Sequence, residues 1–307
     1  MNGPRVLVCD PIHDDGINLL TESGYVVDLR TSIIDSELVE AVGDFDAIIV
    51  RSRTKVTERV LEAGMRLKAV ARAGVGLDNI DMNAAKRLGI NVVNSPEAPS
   101  NAVAELVLGL MLSLARRIPE ADASMKKGEW IKKRLTGIEL KGRTLGIIGF
   151  GRIGYQLATK AGALGMRVLT YVVVIEKLME LVKEAGADAV DLDELLGSSD
   201  FVTVHVPLLP QTKHMIGAEE MSVMKDGAYL INAARGGVVD DEALRRALVS
   251  GKLAGAALDV YEEEPPRNLS LTGLQNVVSL PHIGAATVEA QRANSTIVAE
   301  KLIKILG

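Results

Sequence analysis

The sequence LGIIGFGRIG, residues 145–154, is an apolar run that leads into the glycine pattern G-x-G-x-x-G. This pattern is typical of a β-strand, a tight turn and a helix that begins inside the pattern. Gly149 permits the turn, Gly151 removes a side chain that would keep a pyrophosphate off the backbone, and Gly154 lets the helix approach the strand. The phosphates would lie at the helix N-terminus, where backbone N–H groups can bind them. The stretch therefore predicts a dinucleotide-binding unit.

The residues on both sides of the glycine pattern favour the same prediction. Residues 144–148 read as a strand, and apolar residues recur at helical spacing from Ile153 to Leu164. A second apolar run, 167–174, would then close a βαβ unit. A purely structural turn remains the alternative, because a single match can arise by chance in a chain with 29 glycines among 307 residues.

Length and composition set limits on the class of protein. A chain of 307 residues exceeds what one core usually serves, so we expect two domains. The net charge of −5, without a dense block of Lys and Arg, argues against nucleic acid as a partner. Charges interrupt every apolar run, so no membrane span is expected, and the N-terminus lacks the features of a signal peptide. The single cysteine, Cys9, excludes an internal disulfide and favours a cytoplasmic location.

The order of strand-like and helical patterns predicts the fold. Short β-branched runs alternate with helical periods along both halves of the chain, which indicates an α/β protein with helices on both faces of parallel sheets. We therefore predict two doubly wound parallel-sheet domains, of which the nucleotide-binding one is Rossmann-type. The predicted helices include a long one through residues 102–116, one at 176–185 in the second half and a final one at 287–306. The predicted strands are residues 6–9, 25–29, 46–50, 68–71 and 90–93, then 144–148, 167–174, 187–190, 201–206, 228–231, 253–258 and 276–280.

Three polar residues follow the last three predicted strands, namely Arg235, Glu264 and His282. The carboxyl ends of parallel strands meet at one sheet edge, so the three side chains should share a site. Arg can bind a carboxylate with two hydrogen bonds, and His can exchange a proton near neutral pH. Each residue also has an ordinary alternative: a salt bridge beside a helix for Arg235, a solvated acidic run for Glu264 and a satisfied loop residue for His282. No cluster has the spacing of metal ligands, so no metal is expected.

Five motifs together resemble the D-isomer-specific 2-hydroxyacid dehydrogenase family, and the resemblance runs from end to end of the chain. They are residues 149–154, His205-Val206-Pro207 with Thr212, NAARGGVVD at 232–240, GAALDVYEEEP at 255–265 and PHIG at 281–284. The resemblance implies that Arg235 binds the substrate, that His282 is the acid/base and that Glu264 is its partner. It also implies NAD as cofactor, with Asp259 facing the nicotinamide carboxamide. The other implied cofactor contacts are Gly149, Gly151, Arg152, Ile153, Gly154, His205, Pro207, Thr212, Ala233 and Gly284.

The family resemblance also implies a domain organisation. A substrate-binding domain would span residues 1–98 and be completed by 285–307, and the Rossmann domain would span 99–284. The apolar helix near residues 102–116 would help to form a homodimer. A helix buried within a single subunit is the alternative explanation of its apolar surface.

Two stretches of the first half point to one branch of the family. RSRTKVT at 51–57 and ARAGVGLDNID at 71–81 resemble the phosphoglycerate dehydrogenases, in a short form without a regulatory domain. The implied substrate is a phosphorylated 2-hydroxy acid, and the implied reaction is NAD-dependent oxidation of D-3-phosphoglycerate to 3-phosphohydroxypyruvate in L-serine biosynthesis. Arginines and a glycine-rich turn would bind the phosphate, unless these arginines merely solvate strand ends. The expected substrate residues are Arg51, Ser52, Arg53, Arg72 and Gly74.

Two positions depart from the family pattern. Val172 stands where relatives usually have an acidic residue that binds the adenine ribose, which leaves the choice between NAD and NADP open. Pro99 stands where relatives often have Asn or Ser. The alternative functions are a glyoxylate or hydroxypyruvate reductase, another D-2-hydroxyacid dehydrogenase and, from a different class, a nucleotide-sensing interaction protein.

Overall fold

The computed structural model describes residues 3–172 and 178–307. The chain divides into two compact units. One contains the residues up to Ser100 together with Ala285–Gly307, and the other is Asn101–Gly284. Each unit is built around its own parallel sheet.

The first unit takes its helices and strands from the first hundred residues and from the last helix of the chain, and the second unit takes those in between. The first elements are β1 (Arg5–Val8), α1 (Asp14–Glu22), β2 (Val26–Leu29), α2 (Asp35–Ala41), β3 (Ala47–Val50), α3 (Glu58–Ala63), β4 (Ala69–Arg72), α4 (Met82–Arg87) and β5 (Asn91–Asn94). The next elements are α5 (Ser100–Arg116), α6 (Ile118–Lys126), β6 (Thr144–Ile148), α7 (Arg152–Ala163), β7 (Arg167–Tyr171), α8 (Met179–Glu184), β8 (Asp188–Ala189), α9 (Leu192–Ser198) and β9 (Phe201–Val204). The last are α10 (Ala218–Val223), β10 (Ala228–Asn232), α11 (Asp241–Val249), β11 (Leu253–Leu258), α12 (Leu269–Thr272), β12 (Val277–Ser279) and α13 (Val288–Leu306).

In the first unit the strands lie in the order β2-β1-β3-β4-β5, all parallel. Successive residues of β1 point to opposite faces of the sheet, so Leu7 enters one core and Val6 and Val8 enter the other. Helix α13 adds Val298 and Leu302 to the second of these cores. The end of the chain therefore completes the core of the unit that the beginning of the chain forms.

In the second unit the strands lie in the order β12-β11-β10-β9-β6-β7-β8, again all parallel. The chain starts in the middle at β6, winds outward through β7 and β8, and then returns to β9 on the other side. Open parallel sheets bind ligands beyond the carboxyl ends of the strands at such a reversal point. The glycine pattern follows β6 directly, so it lies at this point.

The predicted fold class is confirmed, with differences at the ends of elements. The predicted strand 201–206 ends at Val204, and Pro207, which has no amide N–H to donate, could not have continued the ladder. Strand β7 ends at Tyr171, and residues 173 and 174 of the predicted strand lie outside the described residues. Residues 176 and 177 of the predicted helix 176–185 also lie outside them. The short helices α4 and α10 were not predicted, because six residues are less than two turns and show little helical periodicity.

Candidate active site

The glycine turn after β6 has the geometry that a bound pyrophosphate requires. Gly149 has φ +96°, and a Cβ there would lie 2.8 Å from Cγ1 of Val206. A Cβ on Gly154 would lie 2.7 Å from the carbonyl oxygen of Gly149, so helix α7 packs directly on the turn. Gly151 is the N-cap of α7 and supplies no side-chain cap, and apart from its chain neighbours no atom of the described residues lies within 4 Å of a Cβ placed there. The first-turn N–H groups of α7, from Arg152 onward, therefore fit a phosphate ligand.

The end of strand β7 lies beside this turn. The backbone N–H of Gly149 donates to the carbonyl oxygen of Tyr171 at 2.9 Å, and Val172 is the next residue. Val172 is half-buried and packs against the core that contains Ile147 and Leu157. The position next to the glycine turn thus carries an apolar side chain. Residues 173–177, which include Glu176, lie outside the described residues.

The loop after β9 contains three predicted cofactor contacts. His205 Nε2 lies 3.1 Å from Thr203 Oγ1, and its Nδ1 is buried without a hydrogen-bond partner among the described residues. Burial lowers the pKa of His205 from 6.5 to about 4, so the imidazole is neutral at physiological pH. Thr212 Oγ1 donates to the carbonyl oxygen of Pro207 at 2.5 Å and accepts from the backbone N–H of Leu209 at 2.8 Å. Thr212 therefore closes the loop that begins at Pro207.

The loop after β10 presents Arg235. The buried side chain of Asn232 holds this loop, because its amide donates to the carbonyl oxygen of Arg235 at 3.1 Å and accepts from the N–H of Ala234 at 3.1 Å. Arg235 Nη1 donates to the carbonyl oxygen of Ala234 at 2.7 Å. Ala233, a predicted cofactor contact, is 8% exposed. The strand end and the amide side chain together fix the backbone from which the guanidinium extends.

Glu264 and His282 form a direct pair. Oε2 of Glu264 lies 2.8 Å from Nδ1 of His282, and Oε1 accepts from the backbone N–H of Tyr261 at 3.2 Å. A carboxylate bonded to Nδ1 fixes the ring tautomer, so Nε2 is the nitrogen that can take a proton from a substrate. A Cβ on Gly236 would lie only 1.7 Å from the carbonyl oxygen of Tyr261. The Arg235 loop therefore contacts the Glu264 loop backbone to backbone.

Asp259 and Gly284 lie in the loops that hold this pair. Asp259 follows β11 and is 1% exposed, and its Oδ2 accepts from the N–H of Gly284 at 2.7 Å. Burial raises the pKa of Asp259, against the backbone hydrogen bonds, which lower it. Asp259 had been predicted to face a nicotinamide carboxamide, and that contact stays a prediction.

In the first unit, Arg51 and Arg53 follow β3 and have different surroundings. Arg53 donates to the carbonyl oxygens of Cys9, Thr31 and Ile33, and its Nε lies 2.9 Å from Oδ1 of Asp10. The hydrogen-bonding groups of this guanidinium are therefore bonded to other residues of the first unit. Arg51 Nη1 donates to the carbonyl oxygen of Pro11 at 3.2 Å. Ser52, between the two arginines, is exposed.

Two residues that the sequence had not singled out hold this loop. Asp10 is 1% exposed, and its carboxylate accepts from the backbone N–H of Arg51 at 2.5 Å and from Thr54 Oγ1 at 2.9 Å. Asn79 Nδ2 donates to the carbonyl oxygens of Arg51 at 2.7 Å and Thr54 at 2.6 Å. Asp10 lies outside the quoted motifs, and Asn79 lies within the stretch 71–81, but both act on loop atoms 25 or more residues away in sequence.

Arg72 and Gly74 lie at the end of the neighbouring strand. Arg72 is the last residue of β4 and pairs in register with Val50, so Arg51 and Arg72 extend from adjacent strand ends. Gly74 has φ +151°, and a Cβ there would lie 1.9 Å from Nη1 of Arg72. Glycine at position 74 thus makes room for the Arg72 guanidinium.

A further group of charged residues flanks Glu264. His214 Nε2 lies 2.9 Å from Oε1 of Glu262, which also accepts from the backbone N–H of Asp241 at 3.4 Å. Burial raises the pKa of Asp241 to about 6. The three residues line a pocket of about 360 Å³ that does not include Glu264 or His282. Within residues 3–172 and 178–307, no group of His, Cys, Asp and Glu could hold a metal ion.

Comparison with known proteins identifies the family. A model of the D-isomer specific 2-hydroxyacid dehydrogenase NAD-binding domain matches residues 108–284. D-3-phosphoglycerate dehydrogenase of Methanocaldococcus jannaschii is 51% identical over 303 residues, which is 98% of this chain and 57% of that protein. Hydroxypyruvate reductase of Thermotoga maritima is 45% identical over 306 residues, or 99% of this chain and 98% of that protein. A crystal structure of a Thermus thermophilus protein matches with a TM-score of 0.90 at 35% identity, covering 98% and 96% of the two chains.

The chain therefore belongs to the D-isomer specific 2-hydroxyacid dehydrogenase family, as its motifs had predicted. Asn101–Gly284 contains the family's NAD-binding domain, and the glycine turn described above fits that cofactor. The chain spans 57% of the length of the phosphoglycerate dehydrogenases of M. jannaschii and Archaeoglobus fulgidus. In the described part of the chain, no helix has the length and apolarity to cross a membrane.

The neutral state of His205 predicts how folding stability depends on pH. Its folded-state pKa lies below the unfolded value, so its contribution to stability is complete above about pH 6.5 and is lost as pH falls toward 4. The slope from this group is at most about 1.4 kcal/mol per pH unit. Replacement by Asn should remove that slope, which urea unfolding between pH 4 and 7 would measure.

Asp241 provides the control for this measurement, because burial raises the pKa of Asp241 and lowers that of His205. Its raised pKa makes the folded state lose stability as pH rises from about 4 to 6. Asp241→Asn should therefore make the protein more stable at neutral pH and leave the His205 slope in place. An unchanged pH profile in His205→Asn would contradict the prediction.

Proposed function

We propose that this chain catalyses the NAD-dependent oxidation of D-3-phosphoglycerate to 3-phosphohydroxypyruvate, the first step of L-serine synthesis. The observation that carries the proposal is the 2.8 Å contact between Glu264, in the loop after β11, and His282, in the loop after β12. The first of these loops contacts the Arg235 loop, and all three loops follow strands of the sheet that also bears the glycine turn. This arrangement supplies an acid/base and a carboxylate-binding cation, which oxidation of a 2-hydroxy acid requires.

The roles of the residues follow from their hydrogen bonds. Arg235 would bind the substrate carboxylate, and Nε2 of His282 would accept the C2 hydroxyl proton while a hydride leaves C2. Glu264 would stabilise the resulting imidazolium through the bond at Nδ1. When bound, NAD supplies the nicotinamide ring that accepts the hydride, and the N–H groups at the start of α7 would hold its pyrophosphate.

The phosphorylated substrate is proposed from the first unit. Arg51 and Arg72 extend from the carboxyl ends of adjacent strands, and cations of this kind bind a phosphate dianion by charge-assisted hydrogen bonds. Arg53 is engaged by Asp10 and by three backbone carbonyls, so its proposed role is to hold the loop that presents Arg51. The identity of 51% to a phosphoglycerate dehydrogenase supports the same substrate.

A second candidate function is the reduction of hydroxypyruvate. The T. maritima relative carries that name, and this chain covers 98% of its length, compared with 57% for the M. jannaschii enzyme. Both functions use the same acid/base pair, and they differ in whether the substrate bears a phosphate. The arginines after β3 and β4 favour the phosphorylated substrate.

One comparison separates these functions. The protein is given D-3-phosphoglycerate or D-glycerate with NAD, and 3-phosphohydroxypyruvate, hydroxypyruvate or glyoxylate with NADH, while absorbance of the reduced nicotinamide is followed. The proposal requires kcat/KM to favour each phosphorylated compound over its unphosphorylated counterpart. The opposite order would support the reductase, and no turnover of any compound would favour the nucleotide-sensing interaction protein.

We also propose that the chain forms a homodimer in the cytoplasm. Large apolar side chains are exposed along residues 112–130, including Leu112 at 41%, Met125 at 56% and Trp130 at 78%. Where exposed apolar side chains form one contiguous patch, that patch is typical of a surface that binds another protein. The location is supported by the single cysteine, which is buried and unpaired.

Removal of the imidazole should abolish most catalysis. His282→Ala is expected to lower kcat by roughly 100- to 10,000-fold, the usual range for a general acid/base. Binding of NADH, measured by its fluorescence, should change little, because the glycine turn is distant in sequence and remains intact. Near-normal turnover in this variant would remove His282 from the proposed mechanism.

Arg51 and Arg53 form a matched pair for testing phosphate recognition. Arg51→Ala should reduce kcat/KM for D-3-phosphoglycerate by about 1.5–3 kcal/mol, or roughly 10- to 100-fold, and should affect D-glycerate much less. Arg53→Ala should instead lower the free energy of unfolding by about 1–3 kcal/mol, since buried Asp10 loses a partner. Equal kinetic losses on both substrates in Arg51→Ala would contradict the phosphate role.

Val172 should control the discrimination between NAD and NADP. Val172→Asp would place a carboxylate beside the adenine ribose. It should strengthen NAD binding by up to about 1.5–3 kcal/mol and weaken NADP binding by charge repulsion. Val172→Asn is the control, because it can accept a hydrogen bond but does not repel a phosphate. The prediction fails if the parent already discriminates strongly and Val172→Asp leaves both dissociation constants unchanged.

The proposed dimer predicts the mass in solution. Light scattering after size-exclusion chromatography should give twice the mass of one chain, and Trp130→Lys together with Met125→Lys should weaken the association. A parent protein that stays monomeric at micromolar concentrations would contradict the proposal.

A further inference from the structure

Asp259 contacts the two residues that follow His282. Its Oδ1 accepts from the backbone N–H of Ile283 at 2.7 Å, and its Oδ2 accepts from the N–H of Gly284 at 2.7 Å. The carboxylate is 1% exposed, so these two bonds compensate much of its lost hydration. The end of β11 is thereby tied to the loop that follows β12.

The backbone of His282 has a conformation that needs such support. Its φ is +55°, in the left-handed region that residues with a side chain seldom adopt. Residues held in this region persist where neighbouring contacts fix them. Gly284 permits the approach of the carboxylate, because a Cβ there would lie 3.0 Å from Oδ2 of Asp259 and 3.3 Å from Cγ2 of Val103.

We propose that Asp259 is a positioning residue for the acid/base: it holds the backbone directly after His282 while Glu264 holds the imidazole. This inference rests on the catalytic role proposed above for His282. Glu264 is itself fixed by the N–H of Tyr261, which lies on the same loop as Asp259. The imidazole is thus fixed at its backbone and at Nδ1 by two carboxylates from one loop, and Nε2 keeps a constant direction.

The positioning role differs in its consequences from a contact with the nicotinamide carboxamide. Loss of a carboxamide contact would weaken cofactor binding. Loss of the backbone hydrogen bonds would release residues 282–284 and lower the fraction of molecules with a correctly directed imidazole. The second effect reduces kcat and leaves the cofactor dissociation constant unchanged.

The experiment compares Asp259→Asn with Asp200→Asn. Asp200 makes a comparable bond, since its carboxylate accepts from the backbone N–H of Thr144 at 2.8 Å. It directly precedes β9, so it lies at the amino end of the parallel strands, whereas Asp259 lies at their carboxyl end. Hydrogen exchange by mass spectrometry reports on the amides of Ile283 and Gly284. Steady-state kinetics gives kcat on any 2-hydroxy acid that the parent oxidises, and fluorescence titration gives the NADH dissociation constant.

The proposal predicts slow exchange of both amides in the parent and faster exchange in Asp259→Asn, confined to the loop after β12. It also predicts a kcat lower by roughly 10- to 100-fold, the scale for a catalytic group displaced by about 1 Å, with NADH affinity unchanged. Asp200→Asn should alter none of these three quantities. An unchanged kcat, or a loss confined to NADH affinity, would overturn the proposal.

The exchange measurement on the parent keeps the proposal testable if Asp259→Asn does not fold. Rapid exchange of the two amides in the parent would show that Asp259 does not hold them and would overturn the proposal. This result does not depend on which substrate the enzyme uses. A parent that fails to oxidise D-3-phosphoglycerate would refute the proposed function and leave the positioning role to be decided by the exchange data.

Discussion

The hydrogen bond between Glu264 and His282 is the interaction on which the proposed chemistry depends. An imidazole on a loop can rotate and can exist in two tautomers, whereas a carboxylate at Nδ1 selects one tautomer and one direction. The bond requires that the loops after β11 and β12 lie side by side. The parallel pairing of these strands, with Leu258 opposite Ser279, satisfies that requirement.

The same requirement explains why buried polar side chains are found at the ends of the strands. Asn232 holds the loop of Arg235, and Asp259 holds the loop of His282. Burial of an amide or a carboxylate is unfavourable unless each polar atom is hydrogen-bonded, and here the partners are loop N–H and carbonyl groups. In the first unit Asp10 performs the same task for Arg51. Loop geometry at both sheets is therefore determined by side chains that need not touch a ligand.

Much of the fold and of the site was predictable, because the signals were local in sequence. The glycine pattern specifies a strand, a turn and a helix within ten residues, and the strand ends led to Arg235, Glu264 and His282. The partners of Asp259 and Asp10 were not predictable, since they lie 24 or more residues away and depend on strand pairing. The difference between Arg51 and Arg53 was also hidden: both are arginines after one strand, and only the structure shows that Arg53 donates to its own scaffold.

The proposed reaction transfers a hydride directly from C2 of D-3-phosphoglycerate to NAD. The most direct measurement uses D-3-phosphoglycerate deuterated at C2 and determines the mass of the reduced nicotinamide nucleotide. Direct transfer predicts that each reduced nucleotide carries one deuterium. None of this deuterium should be lost to water, however many turnovers have taken place. Unlabelled reduced nucleotide, or no reduction of NAD by the phosphorylated acid, would contradict it.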